Sequence, residues 1–321
     1  MYNQDIIKEI SLELNIKEFQ VVNTLKLLEE GATIPFIARY RKEATGSLDE
    51  NQIASINDVY VYQVNLLKRK EDVIRLINEK GLLTLELEEE IKKASKLVDV
   101  EDLYRPFKEK KKTKATNAIK LGLEPLAKEI FRENKNIKEE AKKYLKEGIP
   151  SIDFALEQAN YIVAEDISDN ANYRKFIREN TLKHGILKSI KKKSAIDENM
   201  TYENYYNYEE PIKSLKSHRI LAINRGEKEG VLSVSISYNL EYLENYLASK
   251  YIHKDNKETT DLLKLAITDA LKRLIMPSIQ REIRTLLTEQ AEDAAIHNFS
   301  DNLYHLLMQP PIKNKTVLGF D

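Results

Sequence analysis

The chain has 321 residues, with 51 basic side chains against 52 acidic ones, and this balance excludes a uniformly basic protein that coats nucleic acid. Charged residues make up 32% and hydrophobic ones 42%, enough apolar material for a core and too much for a disordered chain. Cysteine is absent, which excludes disulfides, thiolate zinc sites, iron–sulfur clusters and cysteine nucleophiles together. With only 9 Gly and 8 Pro to break helices or make tight hairpins, a mainly α protein of two or three domains is expected. The first 17 residues carry polar or acidic side chains every few positions, unlike a signal peptide, and no run of eighteen uncharged apolar residues marks a membrane span. A soluble, cytoplasmic, monomeric protein with no membrane association is expected.

Along the chain, Ile6, Ile7, Ile10 and Leu14, then Val21, Val22, Leu25 and Leu28, recur at helical spacing, and Gly31 offers a C-terminal stop. Two short helices open the sequence. Pro35 suits the first turn of a third, which carries Phe36, Ile37 and Tyr40. The stretch from Ser47 to Glu50 has the form of a capping box and predicts a long helix through Ile53, Ile56, Tyr60, Leu67 and Ile74 to about Lys80, with Gly81 ending it. Residues 82–185 read as short helices punctuated by Pro106, Gly122, Pro125, Gly148, Pro150 and Gly185, the material of a helix-turn-helix unit.

Strand signals are confined to about 186–238. Residues 231–238 alternate apolar and polar at period two, as a half-buried strand does. Residues 185–190 are the favoured partner over 219–224, which would need a hairpin turn at 227–230, because Ser217 with Ile220, Leu221 and Ile223 reads equally well as a capped helix ending at Gly226; a small element of two or three strands is expected. From Thr260 to Met308 the pattern is helical apart from Pro277, where two helices or one kinked helix should meet. The part after Pro277 makes a rod of roughly 45 Å, a spine. Residues 317–321 then look like the first half of a buried strand, which predicts that the chain is a piece of a longer protein. The expected divisions are 1–81, 82–185, 186–309 and 310–321.

No metal, phosphate-loop or hydrolase signature is present, and His184, His218, His253, His297 and His305 are dispersed, so no cofactor, metal or catalytic residue is assigned and the protein is read as a non-enzyme. The local charge is more informative than the net charge. Residues 105–120 hold seven basic side chains and one acidic one, a net of +6. Arg105, Lys108, Lys110, Lys111, Lys112 and Lys114 precede a helix that Thr113 or Thr116 can cap, an arrangement suited to phosphate contacts, although this feature taken alone favours a solvated basic loop. Lys183, Lys188, Lys191, Lys192 and Lys193 form a similar cluster beside the strands. Arg39, Arg41 and Lys42 around Tyr40 are suited to gripping phosphate or stacking on bases, or to pairing with Glu43, Asp49 or Glu50; the closeness of those acids favours the internal role.

The segment from Ile34 to Glu43 with Thr45, Gly46 and 48–50, the segment 101–108 with 113–115 and 122–127, then Ser217, His218, Arg219, Leu221, Ala222, Arg225 and Gly226, and finally Pro310, Pro311 and 317–321 occur in the order seen in one family. Through these four stretches the chain resembles the Tex-like transcription accessory proteins of bacteria, which are related to the eukaryotic elongation factor of the Spt class. The resemblance implies a helical region with a helix-turn-helix unit, followed by RNase H-like, helix-hairpin-helix and OB-fold RNA-binding domains that this chain lacks. It implies that Asp321 lies near the end of the first strand of a non-catalytic RNase H-like domain. It also implies RNA or DNA as partner, with RNA polymerase or another transcription factor as the alternative, and a structural part for Pro35, Arg39, Tyr40, Arg41, Lys42, Glu43, Ser217, His218, Arg219, Arg225 and Gly226. One departure concerns the basic turn: the family usually shows proline near position 109, and Glu109 here lowers the charge and loosens the turn.

Overall fold

The computed structural model describes residues 2–110, 112–254, 256–310, 315, 316 and 318. They divide into two compact units, Met1–Lys108 and Glu109–Asp321.

The first unit is entirely helical: α1 (Gln4–Glu13), α2 (Glu18–Glu29), α3 (Ile34–Tyr40), α4 (Lys42–Thr45), α5 (Glu50–Glu79), α6 (Leu85–Lys93) and α7 (Leu97–Tyr104), with a 3₁₀ turn at Arg105–Phe107. Helix α5 is the axis of the unit and joins two apolar clusters. Its first half buries Ile53 and Ile56 with Ile6, Ile7, Ile10, Val21, Leu25 and Ile37. Its second half buries Leu66, Val73 and Ile77 with Ile91, Val100 and Tyr104. The capping box of α5 is displaced from the expected place: Asp49, not Ser47, accepts from the Gln52 amide, and the Gln52 side chain accepts in return from the Asp49 N–H. Ser47 instead has φ +64, following Gly46 at +65, so the chain reverses there and its first capping position falls two residues later.

The second unit contains α8 (Lys114–Lys120), α9 (Glu124–Phe131), α10 (Ile137–Lys142), α11 (Ile152–Asp169), α12 (Ala171–His184), β1 (Ile186–Lys191), β2 (Asn207–Pro211), α13 (Ser217–Lys228), β3 (Leu232–Ser237), α14 (Leu240–Tyr251), α15 (Lys257–Asp269) and α16 (Met276–Leu307). At its centre lies α11, which packs on α8, α9, α10, α12 and α15 and buries Ala155, Ala159 and Ala164 among its contacts. Such small side chains let neighbouring helix axes approach. At 18 residues α11 is longer than the short helices expected for this stretch. The sheet is antiparallel with order β2-β1-β3, and the favoured pairing of β1 with the alternating strand is present, Leu187 opposite Ile236. The third strand, β2, is an edge of half-buried and exposed residues. Helix α13 does not end at Gly226 but runs to Lys228, and its N-cap is Lys216 with no side-chain cap, so Ser217 is its first residue and does not cap it.

Pro277 does not separate two helices. From Lys257 to Leu307 the chain stays helical for 51 residues, passing through a π-helical stretch at Ala270–Ile275. Proline lacks an N–H and its ring presses on the carbonyl four residues back. A widened turn immediately before Pro277 accommodates both, which is the usual setting of a π-bulge. The strand expected at 317–321 lies outside the described residues.

Candidate nucleic-acid interface

The basic segment spans the end of the first unit and the start of the second, and Lys108, Lys110 and Lys114 are engaged within their own unit. Arg105 lies in the 3₁₀ turn and has an intramolecular partner. Lys108 donates to Glu101, which also accepts from Arg69 at 2.6 Å, and both cations lie 5.4 Å from the centre of the Tyr104 ring. Burial pushes the Glu101 carboxyl up, yet the hydrogen bonds and charges of Arg69 and Lys108 outweigh it and hold the group below the usual carboxylate range.

Across the unit boundary in sequence, Lys110 sits 3.1 Å from Glu165 and donates to Asp169, two carboxylates one turn apart on α11 whose side chains are about nine-tenths buried. Lys114 lies 4.3 Å above the Tyr161 ring and donates to its hydroxyl, which in turn donates to Glu157. Thr113 caps α8 through a reciprocal bond with Thr116, so both threonines named from the sequence share the cap. Lys112 is exposed, with no partner among the described residues; Lys111 lies outside them. Sequence reasoning missed the acids that occupy these lysines. The available signal was Glu165 and Asp169, i and i+4 among Ile162, Val163, Ala164 and Ile167, because two carboxylates on a buried helix face require a cation.

The connection between α8 and α9 is three residues, Leu121 to Leu123, with Gly122 at φ +81. In the second cationic cluster, Lys188 pairs with Glu209 at 2.7 Å and Lys191 lies 4.4 Å above the Tyr206 ring, so these too work inside the sheet region.

The two remaining motifs have opposite characters. Around α3, Ile37 and Ala38 point inward while Pro35, Phe36, Arg39, Tyr40, Arg41, Lys42 and Glu43 are exposed. Arg39 meets Glu50 at 3.5 Å on an open surface, and Arg41 lies 5.1 Å above the Phe36 ring. Around α13, Ser217 is half-buried and His218 and Arg225 are exposed, while Arg219 donates to both oxygens of Glu210 at 2.8 Å and to the Tyr208 hydroxyl. Gly226 is a packing glycine: a Cβ there would stand 2.6 Å from Leu232 Cδ1 and 2.9 Å from the Tyr202 ring.

Elsewhere, α12 is tied to α16 by two arginines on one acid. Arg174, fully buried, donates to Ser278 and Glu282 at 2.8 and 2.9 Å, and Arg178 donates to the other Glu282 oxygen at 3.0 Å. No group of three metal-ligating side chains is found among the described residues, and none of their helices is long and apolar enough to cross a membrane.

Comparison with known proteins places these elements. Residues 4–78 match the family model described as the Tex-like protein N-terminal domain, and residues 132–299 match the Tex central region-like model. The chain is 47% identical over 98% of its length to YdcI of Bacillus subtilis, and 33% identical over 99% to the transcriptional accessory protein Tex of Neisseria gonorrhoeae. It is 26% identical over 99% to the human S1 RNA-binding domain-containing protein 1. It spans 44%, 43% and 34% of these relatives' own lengths.

Proposed function

Because this chain belongs to the Tex-like family of transcription accessory proteins, we propose that it is a non-enzymatic helical scaffold within a nucleic-acid-associated transcription factor. The observation that carries this reading is the far end of α16. Ala291 is its last buried position, and beyond it Ile296, Phe299, Leu303, Leu306 and Leu307 are 41–73% exposed at spacings that keep them on one helix face. An exposed apolar stripe of this kind is a surface built to be covered. More than half of each relative's length lies outside the stretch matched here, and the resemblance implies RNase H-like, helix-hairpin-helix and OB-fold RNA-binding domains in that part. We assign the stripe to holding such domains, which would carry most of the affinity for RNA or DNA. The scaffold itself is read as cytoplasmic, monomeric and free of cofactors.

Parallel salt titrations of RNA and duplex DNA affinity for this chain and for full-length YdcI test the reading. The full-length relative should bind at least about tenfold more tightly, with the steeper dependence on salt. Equal affinity would defeat the division of labour, and no binding by either protein would defeat the nucleic-acid reading.

One observation favours a second reading, a module that docks RNA polymerase or another transcription factor without touching nucleic acid: the lysines at 108, 110 and 114 are already engaged internally. Lys112→Glu discriminates. Loss of RNA or DNA binding supports the scaffold reading, whereas intact nucleic-acid binding with lost polymerase capture supports the second.

A further inference from the structure

We propose that the outward face of α3 and α4 is a contact site for single-stranded nucleic acid, in which Tyr40 and Phe36 stack on bases while Arg39, Arg41 and Lys42 meet phosphates. The inference rests on the nucleic-acid reading above and adds to it a place and a mode. Its first support is what these side chains leave undone. Tyr40 is 67% exposed and Phe36 40%, their ring centres 5.3 Å apart at i and i+4, so two aromatic rings that could have entered the apolar cluster beneath them stand outside it. The inward face of the same helix is filled by Ile37 and Ala38 against α5, which fixes the outward face in place.

The second support is the state of the cations. In the basic segment Lys108, Lys110 and Lys114 are turned onto carboxylates or a ring face, whereas here, among the described residues, the one acid pair is Arg39 with Glu50 at 3.5 Å, both side chains about half exposed or more. Such a pair contributes little and yields to a phosphate. Helix α3 ends at Tyr40; the next residue, Arg41, leaves helical geometry with φ −126° and ψ 26°, and its guanidinium lies over the Phe36 ring at 5.1 Å. A planar cation beside two rings is a stacking platform with charge at its rim, the composition by which sequence-tolerant sites hold single strands. The platform is held from below: the Asn23 and Gln20 amides donate to the carbonyls of Ala44 and Thr45 at 2.7 and 2.9 Å, and the buried Thr45 hydroxyl donates to the Arg41 carbonyl at 3.2 Å. Between positions 39 and 43 three cations face one acid, Glu43, so the charge suits a polyanion.

The test is fluorescence anisotropy of labelled twelve-nucleotide oligo(U) and oligo(dT) with the 321-residue chain between 50 and 200 mM salt. Tyr40→Ala should weaken binding at least about fivefold, while Tyr40→Phe, which keeps the ring, should bind nearly as the parent does. The double variant Arg39→Ala, Arg41→Ala should flatten the slope of log affinity against log salt by about 1.4. All of these side chains are exposed, and circular dichroism melts check that the variants stay folded. If the α3 variants bind as the parent while Lys112→Glu loses binding, the contact lies at the basic segment: the inference falls and the nucleic-acid reading survives. If the chain binds neither oligonucleotide, the inference falls; if full-length YdcI also binds none, the nucleic-acid reading falls with it. Loss of RNA polymerase capture in the α3 variants without any oligonucleotide binding would make the face a protein-docking surface and overturn the inference.

Discussion

Glu282 shows how much a single side chain settles in this chain. Its two oxygens face Arg174 and Arg178, and Arg174 is entirely buried, so the acid balances charge that water cannot reach. Burial pushes the Glu282 carboxyl up, but the Ser278 hydroxyl and the two guanidiniums outweigh it and hold the group below the usual carboxylate range. A depressed folded-state value means that the stabilisation is complete above the unfolded value, about 4.3, and is lost as pH falls through the lower folded value. Glu282→Gln should therefore cost about 3 kcal/mol at neutral pH, and its stability should decline less than the parent's between pH 5 and 3. Urea denaturation across that pH window measures both. At Gly226 the determinant is space. Gly226→Ala gains roughly 1 kcal/mol of helix propensity but drives a methyl into Leu232 and Tyr202, so a net loss of about 1–2 kcal/mol is expected in thermal melts.

At the scale of the element, α16 changes character along its length. Its first half buries Met276, Ile279, Ile283, Leu287 and Ala291, and its second half buries nothing. Backbone amides at 279–291 should accordingly exchange with deuterium far more slowly than those at 296–307, where only local hydrogen bonds resist opening. Mass-resolved hydrogen exchange reads this directly, and equal protection in the two halves would show that the stripe is already covered. The sequence revealed this helix because its apolar spacing is regular, and it revealed β3 because Leu232, Val234 and Ile236 alternate with serines. It did not reveal β2, since Asn207 to Pro211 is an edge strand whose membership is decided by hydrogen bonds to β1 and not by burial. The cap of α5 was misplaced by two residues for a related reason: Ser47 and Asp49 offer the same local chemistry, and only the reversal at Gly46 and Ser47 decides between them. The basic segment was legible as charge, but its occupation by Glu101, Glu165 and Asp169 depends on contacts 7 to 59 residues apart.

For the whole molecule, that occupation decides how the chain responds to salt. A net charge of −1 conceals a window of +6 at 105–120, and five available cations there would give a slope near −4.5 on duplex DNA. Lys110 cannot join them cheaply, because leaving Glu165 and Asp169 would strip a cation from two carboxylates that are only about one-tenth exposed. Lys108 and Lys114 would likewise give up Glu101 and Tyr161. With Lys112 and Lys120, both exposed, left among the described residues to meet phosphate, the expected slope for this chain on duplex DNA is near −2. Lys112→Ala should then lower it by about 1, while Lys110→Ala should lower stability with little effect on the slope. Filter binding between 50 and 200 mM salt, paired with urea denaturation of the same variants, separates the two effects. A slope near −4.5 in the parent chain would mean that the lysines exchange their carboxylates for phosphate on binding, so that the same contacts that stabilise the fold would be spent on the ligand.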